Sequence, residues 1–327
     1  MSDISQSSID TLEAEKIAAR QHLLKLSPAE AQNQVNQTLH AELWRVQIDG
    51  CSIDRSTNFP LASCVMSPLT PDALKTVLQQ LQQAEINLVI VGGQAINLWA
   101  MQYYQPTSEW DELQPFASMD LDLFGGRLEA VQCSEVLSGT LTLAKNFDPS
   151  PNAGVVMLNW QDRPFRINVL SSVYGLNDTE IVNTALPFLG TDALSGVQLK
   201  VLHPLLCLES KLKCLRGLDQ TARQDEKHVR LAVLILRAFL TSQLASQPTR
   251  SLLNAIERIA DNIWTDAGLN AWYQYGIEIE SAIPIEEIQP QQTPQWQAFT
   301  SIRWAQITDR ATTKRSQYEQ LMRRYEQ

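Results

Sequence analysis

Leu88-Val-Ile-Val-Gly-Gly-Gln-Ala-Ile-Asn-Leu-Trp99, followed by Met119-Asp-Leu-Asp-Leu-Phe-Gly125, is the part of the sequence whose reading decides the fold. Leu88 to Val91 is a short apolar run rich in β-branched residues, ended by Gly92-Gly93. That pattern predicts a buried strand and a tight turn. Ala95, Leu98 and Trp99 then recur at helical spacing. Glycines at such a turn let backbone N–H groups approach a ligand, and a helix N-terminus favours anions. The second stretch alternates, so Asp120 and Asp122 share one face of a strand while Leu121 and Leu123 share the other. Two carboxylates on one face, near a phosphate-binding turn, suit Mg²⁺ carrying a nucleoside triphosphate.

A Gly-Gly turn or an Asp-x-Asp strand is common by itself. The order strand, Gly-Gly, helix, then Asp-x-Asp strand is more specific. In this order the chain resembles the nucleotidyltransferase superfamily, the fold of DNA polymerase beta. Within it, the chain looks most like the AbiEii/AbiGii-type toxin nucleotidyltransferases of abortive-infection and toxin–antitoxin systems. The resemblance covers roughly residues 70–240. It implies an α/β (α+β) core, a mixed sheet with flanking helices, followed by a helical C-terminal domain.

The surrounding sequence divides on the same lines. At 327 residues the chain is long enough for more than one core. Residues 1–65 read as a helical N-terminal extension, 66–200 as the core, and 201–327 as the helical domain. Thr70-Pro71-Asp72 predicts a helix start, with Leu74, Val77, Leu78 and Leu81 as its buried stripe. A helix is expected from Arg127 to Ser138. Strands are expected over 141–147, 155–160 and 165–170, the last two joined by a turn at Gln161-Asp-Arg-Pro164. His203-Pro204 opens a helix ended by Gly217, and Asp225 opens another. The segment between Trp99 and Met119 holds Tyr103, Tyr104 and Trp110. It is either a base-stacking lid or a surface insertion with its aromatics turned inward, and the second is favoured.

Composition sets limits on partners. An apolar fraction of 44% describes an ordinary globular chain. A net charge of −10 argues against a surface devoted to nucleic acid. The last helix is locally basic, with Arg310, Lys314, Arg315, Arg323 and Arg324, and is a candidate RNA contact. Five cysteines without metal-ligand spacing read as reduced thiols in a cytoplasmic protein. The longest apolar run, Leu231 to Leu240, is too short for a bilayer and contains Arg237, so no membrane is expected.

The resemblance also assigns the site. It makes Asp120 and Asp122 the catalytic Mg²⁺ ligands. Gly92, Gly93 and the helix turn that begins at Gln94 cradle the triphosphate. AbiEii-like proteins carry a lysine after the catalytic sheet and then an Arg/Lys-x-Asp cluster. Here these match Lys211 in Leu208-Glu-Ser-Lys211, and Arg223 and Asp225 in Arg223-Gln-Asp225. The lysine is expected to reach phosphates and the later acid to support the site; taken alone, they read as a surface lysine and a helix-start aspartate. Glu209 is expected in solvent, and His228 as a satisfied polar group at a seam. One departure stands out. Many polymerase-like enzymes have a third carboxylate on the neighbouring strand, where this chain has Asn168 in Phe165-Arg-Ile-Asn-Val-Leu170. An amide cannot act as a base near neutral pH.

The expected activity is transfer of a nucleotide from an NTP to a hydroxyl of RNA (for example a tRNA 3′ end) or protein, with a cognate antitoxin as a further partner. Two alternatives stay open: a non-catalytic nucleotide-binding regulator on the same fold, and a small-molecule nucleotidyltransferase like those that modify aminoglycosides.

Overall fold

A seven-stranded mixed sheet forms the centre of the computed structural model, in the order β3-β4-β5-β2-β1-β7-β6. The structure describes residues 68–145, 150–160, 163–221, 223–246 and 250–325. The expectation of a helical extension over 1–65 lies outside them.

After a 3₁₀ turn at Asp72–Leu74, α1 (Lys75–Gln83) buries Val77, Leu78 and Leu81, the stripe expected of it. No side-chain bond caps it. β1 (Val89–Val91) is buried throughout, as a central strand covered on both faces must be. α2 (Gly92–Tyr103) follows without a linker and is buried from Gly93 to Ala100. Its Trp99 Nε1 donates to Leu202 O at 2.8 Å, tying the helix to the end of the sheet.

β2 (Asp120–Phe124) runs antiparallel to β1 and parallel to β5 (Arg163–Leu170). Between β2 and β5 come α3 (Arg127–Leu137), β3 (Thr140–Leu143) and β4 (Asn152–Trp160), which make an antiparallel extension of the sheet. On the other side, α4 (Asp178–Thr184) leads into the hairpin β6 (Leu186–Leu189) and β7 (Gln198–Val201). β7 pairs parallel with β1.

The sheet ends at Val201 and helices follow: α5 (Pro204–Gly217), α6 (Asp225–Ser246), α7 (Arg250–Ile263), α8 (Asp266–Tyr275) and α9 (Trp304–Tyr325). His203 Nδ1 caps α5 by accepting from Leu205 N at 3.1 Å. One apolar cluster, running from Leu205 to Ala311, fills the helical region, and Tyr103 and Leu186 from the sheet side pack against it. The described residues therefore all fall in one compact unit. α6 is long and apolar enough to cross a membrane by length and composition. It serves here as a core helix, with Val229, Leu231, Ala232, Ile235, Leu236 and Leu240 buried in protein.

Candidate active site

Strand alternation and register build the site. Asp120 and Asp122 are half-buried, while Leu121 and Leu123 between and beyond them are fully buried on the opposite face. The parallel neighbour β5 sets Arg166 beside Asp120 and Asn168 beside Asp122. Asn168 Nδ2 donates to Asp120 Oδ2 at 3.0 Å and to Asp122 Oδ1 at 2.8 Å, clasping the two carboxylates. Arg166 Nη2 donates to the same Asp120 Oδ2 at 3.0 Å.

The glycine turn meets this cluster directly. Val91, the last residue of β1, pairs with Asp122, so Gly92 lies against that carboxylate. Gly92 has φ +65°, and a Cβ there would sit 2.2 Å from Asp122 Oδ2. Both the left-handed backbone and the close approach require glycine. A Cβ on Gly93 would lie 2.6 Å from Ser118 Oγ and 3.0 Å from His228 Cε1. The turn is thus wedged between β2 on one side and α6 on the other.

α5 and α6 supply the next layer. Lys211 Nζ donates to Asp225 Oδ1 at 2.8 Å, and Arg223 Nε donates to Asp225 Oδ2. Burial opposes ionisation of Asp225, yet Lys211 and Arg223 hold its carboxyl well below the usual range. Burial likewise works against the Lys211 ammonium, and Asp225 more than offsets it. Asp122 is the opposite case: burial, then the charge of Asp120, push its carboxyl up to about 7 against the pull of Asn168, Lys211 and Arg166. A nearby cation would relieve the repulsion between the two carboxylates.

That chemistry fits Mg²⁺, which takes oxygen ligands and commonly one or two carboxylates plus substrate phosphates. Among the described residues no group of three or more His, Cys, Asp or Glu side chains is arranged to hold a metal. Among the described residues, the carboxylates that face each other here are Asp120 and Asp122, while Asp225 is taken up by Lys211 and Arg223. No family model, curated protein or solved structure matches the chain.

Most of the residues singled out in the sequence come together here: Gly92, Asp120, Asp122 and Asn168 in direct contact, Gly93 next to them against Ser118 and His228, and Lys211, Arg223 and Asp225 forming the adjoining ion cluster. The field of Lys211 and the field of Asp122 reach each other across the gap. Gln94 contributes differently, because its side chain turns inward and donates to Leu69 O at 2.9 Å. Only its backbone belongs to the turn. Lys211 is not a surface lysine: its side chain is 11% exposed.

Two expectations need correction. Glu209 is buried rather than solvated, because Arg258 from α7 donates to it at 2.6 Å while also binding Glu180. His228 does lie at the seam between sheet and helices, 4% exposed, but neither ring nitrogen has a hydrogen-bond partner among the described residues. Burial and the nearby Lys211 hold its imidazole neutral. The insertion after α2 follows the favoured expectation: it turns Trp110 and Phe116 inward, with the Tyr104 ring edge-on to both, and packs on the fold instead of presenting a stacking platform. Three of the five basic residues of α9 have partners among the described residues. Arg310 lies over Trp264, and Arg315 pairs with Glu280 and lies over Trp272. Arg323 pairs with Glu319 one turn earlier.

Sequence reasoning assigned no role to Arg166 or Ser118. The signal for Arg166 was its place two residues before Asn168 on one strand, hence on the same face. For Ser118 it was adjacency to the Asp-x-Asp strand. A cavity of about 270 Å³ lies further along the sheet, bounded by Val89, Phe124, Gly126, Val182 and Lys200. It shares no lining residue with the carboxylate pair, and the geometry of the pair is the better guide to chemistry.

Proposed function

We propose that the protein is a cytoplasmic Mg²⁺-dependent nucleotidyltransferase of the AbiEii toxin type, moving a nucleotide from an NTP to a hydroxyl on RNA, such as a tRNA end, or on protein. The observation that carries this reading is the contact between the Gly92 turn and Asp122. It joins an anion-favouring helix start to a cation-favouring carboxylate pair, the two halves of a metal–triphosphate site.

Asp120 and Asp122 would hold Mg²⁺, which would supply positive charge to stabilise the negative charge that develops in transfer. Gly92 and Gly93 begin α2, and the first backbone N–H groups of that helix would serve the β- and γ-phosphates. Lys211 and Arg223, fixed by Asp225, add positive potential behind them. The acceptor oxygen bonds to the α-phosphorus as the bond from that phosphorus to the pyrophosphate oxygen breaks. Pyrophosphate leaves, and the hydroxyl proton passes to solvent, since the Asn168 amide cannot take it.

Asn168 also supports a second reading, a nucleotide-binding regulator without turnover. Calorimetric titration with each NTP and Mg²⁺ tests what both readings share. Wild type should bind, and the Asp120→Asn/Asp122→Asn protein should lose Mg²⁺-dependent binding while keeping its fold. Equal affinity in the two proteins would remove the assignment of the pair.

A further inference from the structure

The charge inventory around the carboxylate pair bears on how many cations it accepts. At sites that hold two cations about 3.5–4 Å apart, the cations clamp the attacking and leaving oxygens together. Here the neighbouring strand offers an amide and a guanidinium where a further acid would be needed. Asn168 spends its amide N–H groups on both carboxylates. Arg166 offsets the charge of Asp120 through the oxygen that Asn168 also uses. The Arg166 side chain is 46% exposed, against 21% for Asp120, so it reaches this oxygen from the open side. A cation at Asp120 competes with the guanidinium for that oxygen. Once displaced, the planar fork has the geometry to bind phosphate oxygens in a bidentate manner.

We infer that the pair takes one divalent cation, not two, and that Arg166, released from Asp120, supplies the second positive charge to the triphosphate. This rests on the nucleotidyltransferase reading and adds to it a one-cation site with an arginine that changes partner on loading. Asn168 sets the number by holding the carboxylates together without adding charge.

The test uses the full chain, Mn²⁺ and the α,β-methylene analogues of the four NTPs, read by electron paramagnetic resonance and calorimetry. Wild type should hold one Mn²⁺ per bound analogue with no Mn–Mn coupling, and Asn168→Asp should gain a second, coupled ion. Arg166→Met, a change at a half-exposed position, checked for folding by its melting temperature, should separate two affinities. Mn²⁺ alone should bind more tightly, because Asp120 is freed. The analogue should bind about tenfold more weakly, the loss of one charge-assisted contact. A merely structural Arg166 would weaken both together, and that result overturns the inference. Two coupled Mn²⁺ ions in wild type overturn it as well, as does a folded Asn168→Asp protein that still takes one. Absence of any Mn²⁺-dependent analogue binding in wild type would instead remove the nucleotidyltransferase reading, and this inference with it.

Discussion

Gly92→Ala should destabilise the protein through two separable costs. The first is conformational: φ is +65°, where an L-residue costs about 1–2 kcal/mol. The second is steric, because the new methyl would stand 2.2 Å from Asp122 Oδ2 and 3.0 Å from the Asp122 Cβ and Cγ. Forcing that carboxylate aside is an overpacking cost of about 1–3 kcal/mol. The total is about 2–5 kcal/mol, or a fall in melting temperature of roughly 4–10 °C at about 2 °C per kcal/mol. Gly276 supplies the control. It has φ +64° with nothing within 4 Å of the point where an added methyl would stand, so Gly276→Ala should show the conformational cost alone. The steric part is isolated by a double-mutant cycle with Asp122→Ala. Because the Asp122 carboxyl is pushed up to about 7, its charged form is unfavourable at pH 8, and Asp122→Ala alone should be neutral or stabilising there. In the double variant the Gly92→Ala cost should shrink to that of Gly276→Ala, a coupling of about 1–3 kcal/mol. Calorimetry at pH 8 with chelator present measures all four proteins of the cycle and the control. Additivity within about 0.5 kcal/mol would refute the contact between turn and carboxylate.

Lys211→Met leaves Asp225 buried with Arg223 as its remaining ion-pair partner, and should cost about 3–5 kcal/mol, as expected when one member of a buried pair is removed. Lys211→Met/Asp225→Leu should cost less than the sum of the single changes, and denaturant midpoints decide it; a strictly additive pair would mean that the bridge is not formed. His203 governs part of the acid limb. Its imidazole is lowered from 6.5 to about 4 by burial first and Arg258 second, while Nδ1 accepts the Leu205 N–H. The unfolded chain takes up this proton more readily than the folded one, so the contribution is intact above pH 6.5 and is lost as pH falls towards 4, up to about 3 kcal/mol. His203→Asn keeps an acceptor for the cap and should flatten the stability profile in that window, and an unchanged profile would count against His203.

The central sheet was legible because its information is local. β1 is a short apolar run, and the alternation of β2 and the Phe165–Leu170 part of β5 states which residues share a face. The Gly-Gly turn marks itself. α4 and the β6–β7 hairpin were not foreseen: β6 carries Pro187 in a stretch of four residues, and β7 is a strand because β1 offers it a parallel edge. In the candidate site, the identities of Asp120, Asp122, Lys211 and Asp225 stood out, but their pairings are tertiary. Helical spacing could place Glu209 on the side away from Lys211. It could not show that Arg258 waits there from a helix that begins some forty residues later. The partners of the α9 arginines were hidden for the same reason, since Trp264, Trp272 and Glu280 lie on other elements.

The central claim is transfer, and incorporation of label from each α-³²P-labelled NTP into a pool of cellular RNA and protein tests it most directly. With Mg²⁺ present, wild type should move label from at least one NTP to an acceptor and release pyrophosphate in equal amount, while the Asp120→Asn/Asp122→Asn protein should do neither. Clear nucleotide binding without label transfer from any of the four, or transfer that survives loss of both carboxylates, would contradict it.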